Sequence, residues 1–305
     1  MTSRDANEEP RSWSGPIDNM GEEERRSLVN LTTGARPRIE IAEALRNNWF
    51  EVWYQPKIDL KRKCLAGAEA LARIRHPELG VLLPGSFLPD VTVESLTALT
   101  EYALLATLRN WTIFNDAGFN LHLAINVPVS VLKVLPIPQI VNEYRPKSPT
   151  WPGLIVEVTE DQIVRDMKLA NEIATQLRVS GITIAIDDFG AGYSSLSSLR
   201  ELPFAELKLD HSFVTDCATD PTNAAICQTA IDLAHRFGGA AVGEGIEKAS
   251  DLQALMLMGC DFGQGVLIAP PMPMERFLDL LRQRMNKPRQ PQAPAEPPSS
   301  VGQVA

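Results

Sequence analysis

The stretch ITIAIDDFGAGYSS, residues 182–195, drives a run of apolar and small residues straight into two adjacent carboxylates, Asp187 and Asp188. A segment of glycines and serines follows. The apolar run has the length and composition of a buried strand. A carboxylate at the end of such a strand is costly unless something pairs with it. Taken alone, DDFG also fits a helix cap followed by a turn. The rest of the chain decides between these readings.

Similar runs recur on both sides. Strands are expected at FEVWYQPKI (50–58), LAGAEALARI (65–74), LHLAIN (121–126) and GLIVEVT (153–159), and after 182–188 at ELKLD (206–210), AAVGEGI (240–246) and GQGVLI (263–268). Amphipathic segments separate them. Apolar residues recur at helical spacing from Leu96 to Trp111, and MKLANEIATQLRVSG (167–181) ends in a glycine, a normal helix stop. NAAICQTAIDLAHRFGG (223–239) and MERFLDLLRQRM (274–285) behave alike. Alternating strand and helix predicts an α/β fold with a mostly parallel sheet. The interval 37–286 has the usual size of a single (β/α)8 TIM-like barrel. The first two strands are joined only by DLKRK (59–63), too short for a crossover helix, so the first strand is expected to run antiparallel in a hairpin.

The barrel is expected to be flanked by disordered tails. Residues 1–36 are polar, with the charge run GEEERR, and read as a flexible leader with some helical turn around 21–30. Residues 287–305 are rich in Pro, Gln and Ala and have little to bury. The composition, 44% hydrophobic and 22% charged over 305 residues, is that of an ordinary globular protein. A formal charge of −9 argues against a nucleic-acid polymer as partner, because such binding needs a basic face. No apolar run approaches a membrane span, and the N-terminus lacks a signal-peptide core. Cys64, Cys217, Cys227 and Cys260 form no CxxC pair, which fits a reducing cytoplasmic location. His76, His122, His211 and His235 have no metal-binding spacing and are assigned structural or surface roles.

Polar residues interrupt the apolar runs in or beside almost every strand. Glu69 and Arg73 lie in the second and Asn126 closes the third. Glu157 and Glu160 close the fourth, and Asp187 and Asp188 the fifth. Lys208 and Asp210 lie in the sixth, Glu244 and Glu247 at the seventh, Gln264 at the eighth. Barrel strands open at their C-terminal ends on one face, where barrel enzymes place their sites. Glu69, Asn126, Glu157, Asp187, Asp188 and Glu244 are therefore expected to converge. Five carboxylates in one place repel unless a cation sits among them. An all-oxygen donor set suits Mg2+ or Mn2+ over Zn2+. The adjacent aspartates suit two ions held close together, the arrangement used in phosphoryl chemistry.

At this point the motifs YQPKIDL, AEALARIRHPELG, INVPVS, VEVTE, IDDFGAGYSSL, LKLDHSFV, VGEGIE and GCDFGQG resemble, in order, those of EAL domains. The resemblance spans about residues 37–286. It implies a (β/α)8 barrel with an antiparallel first strand and hydrolysis of cyclic di-GMP to linear pGpG. It implies that Glu69, Asn126, Glu157 and Asp187 ligate a first metal, with Asp187 and Asp188 serving a second. Lys208 resembles the lysine that orients the attacking water, and Glu244 the second-metal ligand or general base. Gln55 and Arg73 resemble substrate contacts, Arg73 reaching a phosphate. Glu160 resembles the glutamate that anchors the DDFGAGYSS loop, and Asp210, Glu247 and Gln264 occupy active-site positions. Family members often pair through the region next to that loop, which implies a homodimer. Val266 and Ala269, the segment VTVESLT after SFLPD, and Pro128 depart from the family's pattern. These departures bear on substrate affinity and rim geometry more than on the metal ligands. A non-catalytic cyclic di-GMP receptor and a plain interaction module are the alternative functions.

Overall fold

The computed structural model describes residues 38–165, 167–190 and 202–285. The leader 1–36, the tail 287–305 and Ala191–Ser195 of the expected loop lie outside the described residues.

Strands β1 (Phe50–Asp59) and β2 (Cys64–His76) form the antiparallel hairpin expected from the short DLKRK link. In the turn, Asp59 Oδ1 accepts from Arg62 N at 2.7 Å, and Lys63 takes a positive φ of 53°. From β2 the sheet runs in parallel through β4 (His122–Asn126), β5 (Leu154–Thr159), β6 (Ile182–Phe189), β7 (Glu206–Leu209), β8 (Ala240–Gly243) and β9 (Phe262–Gly263). β9 then pairs antiparallel with β1 and closes the barrel. This is the eight-stranded (β/α)8 barrel with an antiparallel first strand. Two short strands add to it: β3 (Gly80–Leu82) extends β2, and β10 (Met272–Pro273) pairs with β1.

Helices α1 (Ile41–Arg46), α2 (Val93–Asp116), α3 (Val129–Leu132), α4 (Ile137–Tyr144) and α5 (Glu160–Arg165) come first along the chain. They are followed by α6 (Met167–Val179), α7 (His211–Val214), α8 (Pro221–Arg236), α9 (Ala249–Met258) and α10 (Met274–Met285). The long α2 begins where Thr92 caps Ser95 N, and α8 where Asp220 caps Thr222 N and Asn223 N. The main core lies between strands and helices, with Tyr54, Trp111, Phe114 and Phe277 among its largest buried side chains. Ile41, Phe50, Ile74, Phe87 and Leu99 form a separate cluster under α1 and β3.

Three expected strands are shorter than the sequence suggests. The seventh stops at Gly243 instead of residue 246, because Gly245 turns the chain with φ +61°. The eighth keeps only Phe262 and Gly263 of its neighbourhood, and residues 264–268 form a turn. There Gly265 packs so tightly that a Cβ would lie 2.2 Å from Ile246 N. The sixth ends at Leu209, and Asp210 caps α7 instead of extending the strand.

Inside the barrel, β1 and β7 each present two side chains two residues apart, hence on one face. Near the N-terminal ends of the parallel strands, Lys57 and Glu206 are buried and paired at 2.6 Å. The Phe262 ring lies 5.4 Å from Lys57 Nζ. Ala124, Ile155 and Ala185 form a small apolar cluster of their own. Two residues beyond each of them come Asn126, Glu157 and Asp187. The apolar layer therefore separates the buried ion pair from the opposite mouth. Among the described residues no helix is long and apolar enough to cross a membrane.

Candidate active site

At the C-terminal mouth the parallel register sets Asn126 beside Glu157 and Thr159 beside Asp187. Glu69 lies mid-way along the long β2 instead of at its end, as does Arg73. Its carboxylate accepts from Asn126 Nδ2 at 2.6 Å and from Gln264 Nε2 at 2.6 Å. Gln264 also reaches Gln55 Oε1 at 3.1 Å, and Gln55 donates to Ala269 O at 3.2 Å. Lys208, 1% exposed, stands at the centre. Its Nζ lies 2.7 Å from Glu244, 2.8 Å from Glu157, 3.0 Å from Asp187 and 3.7 Å from Glu69. Of the residues expected to converge from the strand ends, Glu69, Asn126, Glu157, Asp187 and Glu244 are thus brought together, and Gln55, Lys208 and Gln264 join them.

A break in the strand pairing answers the question raised by the doubled aspartate. Successive strand residues point to opposite faces, which would separate the two carboxylates. Between Ile186 and Phe189 the β6–β7 register shifts, and Asp188 takes φ +54°. Such a bulge re-aims a side chain, and Asp tolerates the left-handed region better than most residues. Asp187, Asp188 and Glu244 consequently each place a carboxylate oxygen within 4.8 Å of the others. Just beyond, Gly190 N donates to Oε2 of the buried Glu160 at 2.8 Å.

The remaining predicted residues sit around this centre. Glu247 is exposed on the wall of a 220 Å³ cavity that Glu69, Asp187, Lys208 and Glu244 also line. Asp210 has a cap to make: its Oδ1 accepts from Ser212 N at 2.9 Å and from the Ser212 hydroxyl. Arg73 stands apart from the cluster, farther along the same face of β2. It donates from Nη1 to Ala72 O at 2.8 Å and stacks over Trp53, and its buried Nε has no hydrogen-bond partner. Leu71, Gly245, Gly265, Val266 and His211 also line the cavity. Of these, the sequence reading placed only Val266 at the rim, although VGEGIE and QGV mark tight turns beside it. His211, expected in a structural or surface role, is exposed and is also cavity wall.

Four carboxylates around one ammonium leave an excess of negative charge in a poorly hydrated place. Burial pushes the Glu244 carboxyl up to about 8, even against the attraction of Lys208. Burial also raises Glu157 well above the carboxylate range, and the Glu69 charge adds to it. Glu69 is pushed up by burial too, but Lys208 and the hydrogen bonds from Asn126 and Gln264 outweigh that and lower it. Asp188 is raised by burial and by the charges of Asp187 and Asp210. Burial alone would lower Lys208, yet Glu157, Glu244, Glu69 and Asp187 together hold it well above its ordinary value. Clustered hard oxygen donors with surplus negative charge fit a divalent cation. The donors that fit are Asp187, Asp188 and Glu244, with Glu69, Asn126 and Glu157 adjoining.

Residues 38–271 match the family model described as the EAL domain. The chain is 36% identical over 245 residues to the cyclic di-GMP phosphodiesterase RocR of Pseudomonas aeruginosa, covering 79% of this chain and 62% of that protein. It is 37% identical over 235 residues to the cyclic di-GMP phosphodiesterase PA2567 of the same species, covering 76% of this chain and 40% of that protein. The chain therefore spans less than two thirds of the length of either relative. Among solved structures, the PaMucR phosphodiesterase in complex with c-di-GMP superposes with a TM-score of 0.72 at 33% identity, over 78% of this chain and 97% of that one. An EAL domain protein from Listeria monocytogenes gives 0.68 at 28% identity, over 80% and 96%. With barrel, mouth and motifs in agreement over most of the described residues, the chain belongs to the EAL domain family.

Proposed function

We propose that the chain is a metal-dependent phosphodiesterase that hydrolyses cyclic di-GMP to linear pGpG and so lowers the level of that messenger. The observation that carries this reading is the Lys208 hub with carboxylates from four different strands or strand ends, an acidic centre that suits a cation and an anionic ester together. The names of the relatives and the c-di-GMP complex of a neighbour support the substrate.

Glu69, Asn126, Glu157, Asp187, Asp188 and Glu244 would hold two ions, Mg2+ or Mn2+. Bound there, the ions supply Lewis-acid stabilisation of the phosphoryl oxygens and make a water molecule more acidic. The chain's own groups do the rest. Lys208 has three N–H donors on a buried stem and orients the attacking water toward phosphorus. Glu244, which would be ionised once cations offset the surplus negative charge, takes up a proton from that water as the water oxygen bonds to phosphorus. The P–O3′ bond breaks and the leaving 3′ oxygen takes a proton from solvent. Gln55, Gln264 and Glu247 contact the dinucleotide around the cavity, Asp210 acts at its rim by holding His211, and Arg73 offers its planar fork to the second phosphate. Glu160 fixes the loop through Gly190. The domain would occupy 37–286, work in the cytoplasm and pair as a homodimer next to the DDFGAGYSS loop.

One observation favours the alternative of a non-catalytic receptor. Val266, half exposed on the cavity wall, offers a base no hydrogen bond from its side chain. Product analysis separates the two. Incubation with cyclic di-GMP and Mg2+ or Mn2+ yields pGpG if the enzyme reading holds, and verified metal removal abolishes it. Binding without product favours the receptor, and full turnover in excess chelator sinks the metal assignment.

A further inference from the structure

His211 and Asp210 make a structured pair at the rim of the cavity. His211 opens α7 and lines the cavity wall, and its side chain is 73% exposed. Close approach of two turns brings it there. Gly245 has φ +61°, and a Cβ on it would lie 2.5 Å from His211 Cβ, so any other residue at 245 would push the imidazole off the wall. The ring is tethered as well. Its Nδ1 lies 3.3 Å from Asp210 Oδ2, while the other Asp210 oxygen is fixed by the Ser212 amide and hydroxyl.

The tether decides the chemistry of the ring. Burial alone would raise the Asp210 carboxyl, but the Ser212 and His211 interactions outweigh it and keep it low. An ionised carboxylate only accepts hydrogen bonds. Nδ1 therefore carries the hydrogen, and the Nε2 of the neutral ring is an acceptor. The rest of the mouth makes this choice consequential. Phosphate oxygens are acceptors and cannot pair with such a nitrogen. The groups of a guanosine dinucleotide that can are donors: a ribose 2′-hydroxyl, or the N1–H or 2-amino group of guanine.

We propose that His211, held by Asp210, is a substrate-positioning and specificity-determining residue whose Nε2 accepts a hydrogen bond from a nucleoside donor of the dinucleotide. This rests on the cyclic di-GMP reading above and deepens it. One lost hydrogen bond of this kind corresponds to roughly a tenfold change in binding.

The test uses the full chain with cyclic di-GMP and saturating metal near pH ~8.5, where imidazole is generally neutral. His211→Ala raises KM about tenfold with kcat changed less than about twofold. His211→Gln, whose amide oxygen restores an acceptor, recovers most of the loss. Asp210→Asn caps α7 as well as aspartate does, yet its amide donates to Nδ1 and turns Nε2 into a donor. It therefore matches the KM effect of His211→Ala, and the double variant is no worse than either. Two analogues identify the donor, cyclic di-2′-deoxy-GMP lacking the hydroxyl and cyclic di-IMP lacking the amino group. On the analogue that lacks the right donor, parent and His211→Ala have the same KM. An unchanged KM for His211→Ala with an active parent overturns this inference alone, whereas an undiminished effect on both analogues assigns the donor to guanine N1–H. A parent that neither binds nor cleaves cyclic di-GMP overturns the function reading with it. If the parent binds without cleaving, the same ratios are read as Kd.

Discussion

The barrel buries a lysine at each of its two ends, and the two are solved differently. At the closed end Lys57 meets one carboxylate, Glu206, and the charges balance. At the open end Lys208 meets four, Glu69, Glu157, Asp187 and Glu244, and they do not. Lys208 lies two residues after Glu206 on β7, and Gln55 two residues before Lys57 on β1, so the same two strands build both ends. A balanced buried pair is complete in itself and serves stability or specificity of folding. An unbalanced one must keep protons it would otherwise lose or recruit cations. Glu157 and Glu244 show the first response in their raised pKa values. The second is the function proposed for the mouth.

The largest effect that separates the ends is structural. Lys57→Met removes one partner of a buried pair and leaves Glu206 uncompensated. That costs about 3–5 kcal/mol, while the folded fraction keeps its turnover. Lys57→Met combined with Glu206→Leu should recover much of the stability. Chemical denaturation and turnover on the same samples check this. If Lys57→Met abolishes turnover at full folding, the closed end is not merely structural.

Next in size is a loss at the open end with the opposite signature. Asp188→Asn is nearly isosteric, and Asn also tolerates φ +54°. Turnover falls at least ~100-fold, the scale of losing a major electrostatic contributor, while the melting temperature barely moves. A plain capping aspartate would give the reverse, about 1 kcal/mol of stability and normal turnover. A variant that melts earlier yet hydrolyses at the parental rate removes Asp188 from the metal site.

The charge surplus also sets a pH dependence. In the metal-free fold the Glu244 carboxyl is raised to about 8 against an ordinary 4.5, so between these values the folded chain holds a proton the unfolded chain has released. Stability then falls as pH rises through that window. Glu157 acts in the same direction, whereas the lowered Glu69 contributes stability that is lost only at acid pH. A divalent cation replaces the protons, so its stabilising effect grows with pH. Melting curves in chelator and in Mg2+ from pH ~5 to ~8 read this directly. A metal-induced shift that is constant across the range, or a metal-free protein that gains stability with pH, contradicts the assignment.

Much of the open end was legible because its residues interrupt apolar strands at or near their ends. Glu157, Asp187 and Glu244 stand out in that way without any knowledge of the fold. The hairpin was legible from the length of one link. The closed end was not, since Lys57 and Glu206 are 149 positions apart and neither breaks a local pattern that asks for a partner. Strands of two or three residues, β3, β9 and β10, are too short to show a period. Asp188 was legible as a carboxylate, but the bulge that turns it toward Glu244 depends on pairing with β7. His211 reads as one more exposed histidine until the Gly245 turn brings it to the cavity.

The smallest expected effect tests how the open end is held in shape. Glu160 touches none of the cluster around Lys208; it accepts from Gly190 N, two residues after Asp188. Removing the acceptor leaves that N–H without a protein partner and frees the turn that follows Asp188. Glu160→Ala should therefore raise the metal concentration for half-maximal turnover several-fold and reduce the rate about tenfold or less, a smaller loss than Asp188→Asn because every donor stays in place. Glu160→Gln keeps an acceptor oxygen and should lie between Glu160→Ala and the parent. A role as metal ligand predicts otherwise: both variants would lose turnover to the extent that Asp188→Asn does, and excess metal would not restore it. Metal titrations of the parent and the three variants separate positioning from ligation. If Glu160→Gln is as impaired as Glu160→Ala and neither responds to added metal, the hydrogen bond to Gly190 is not what Glu160 contributes.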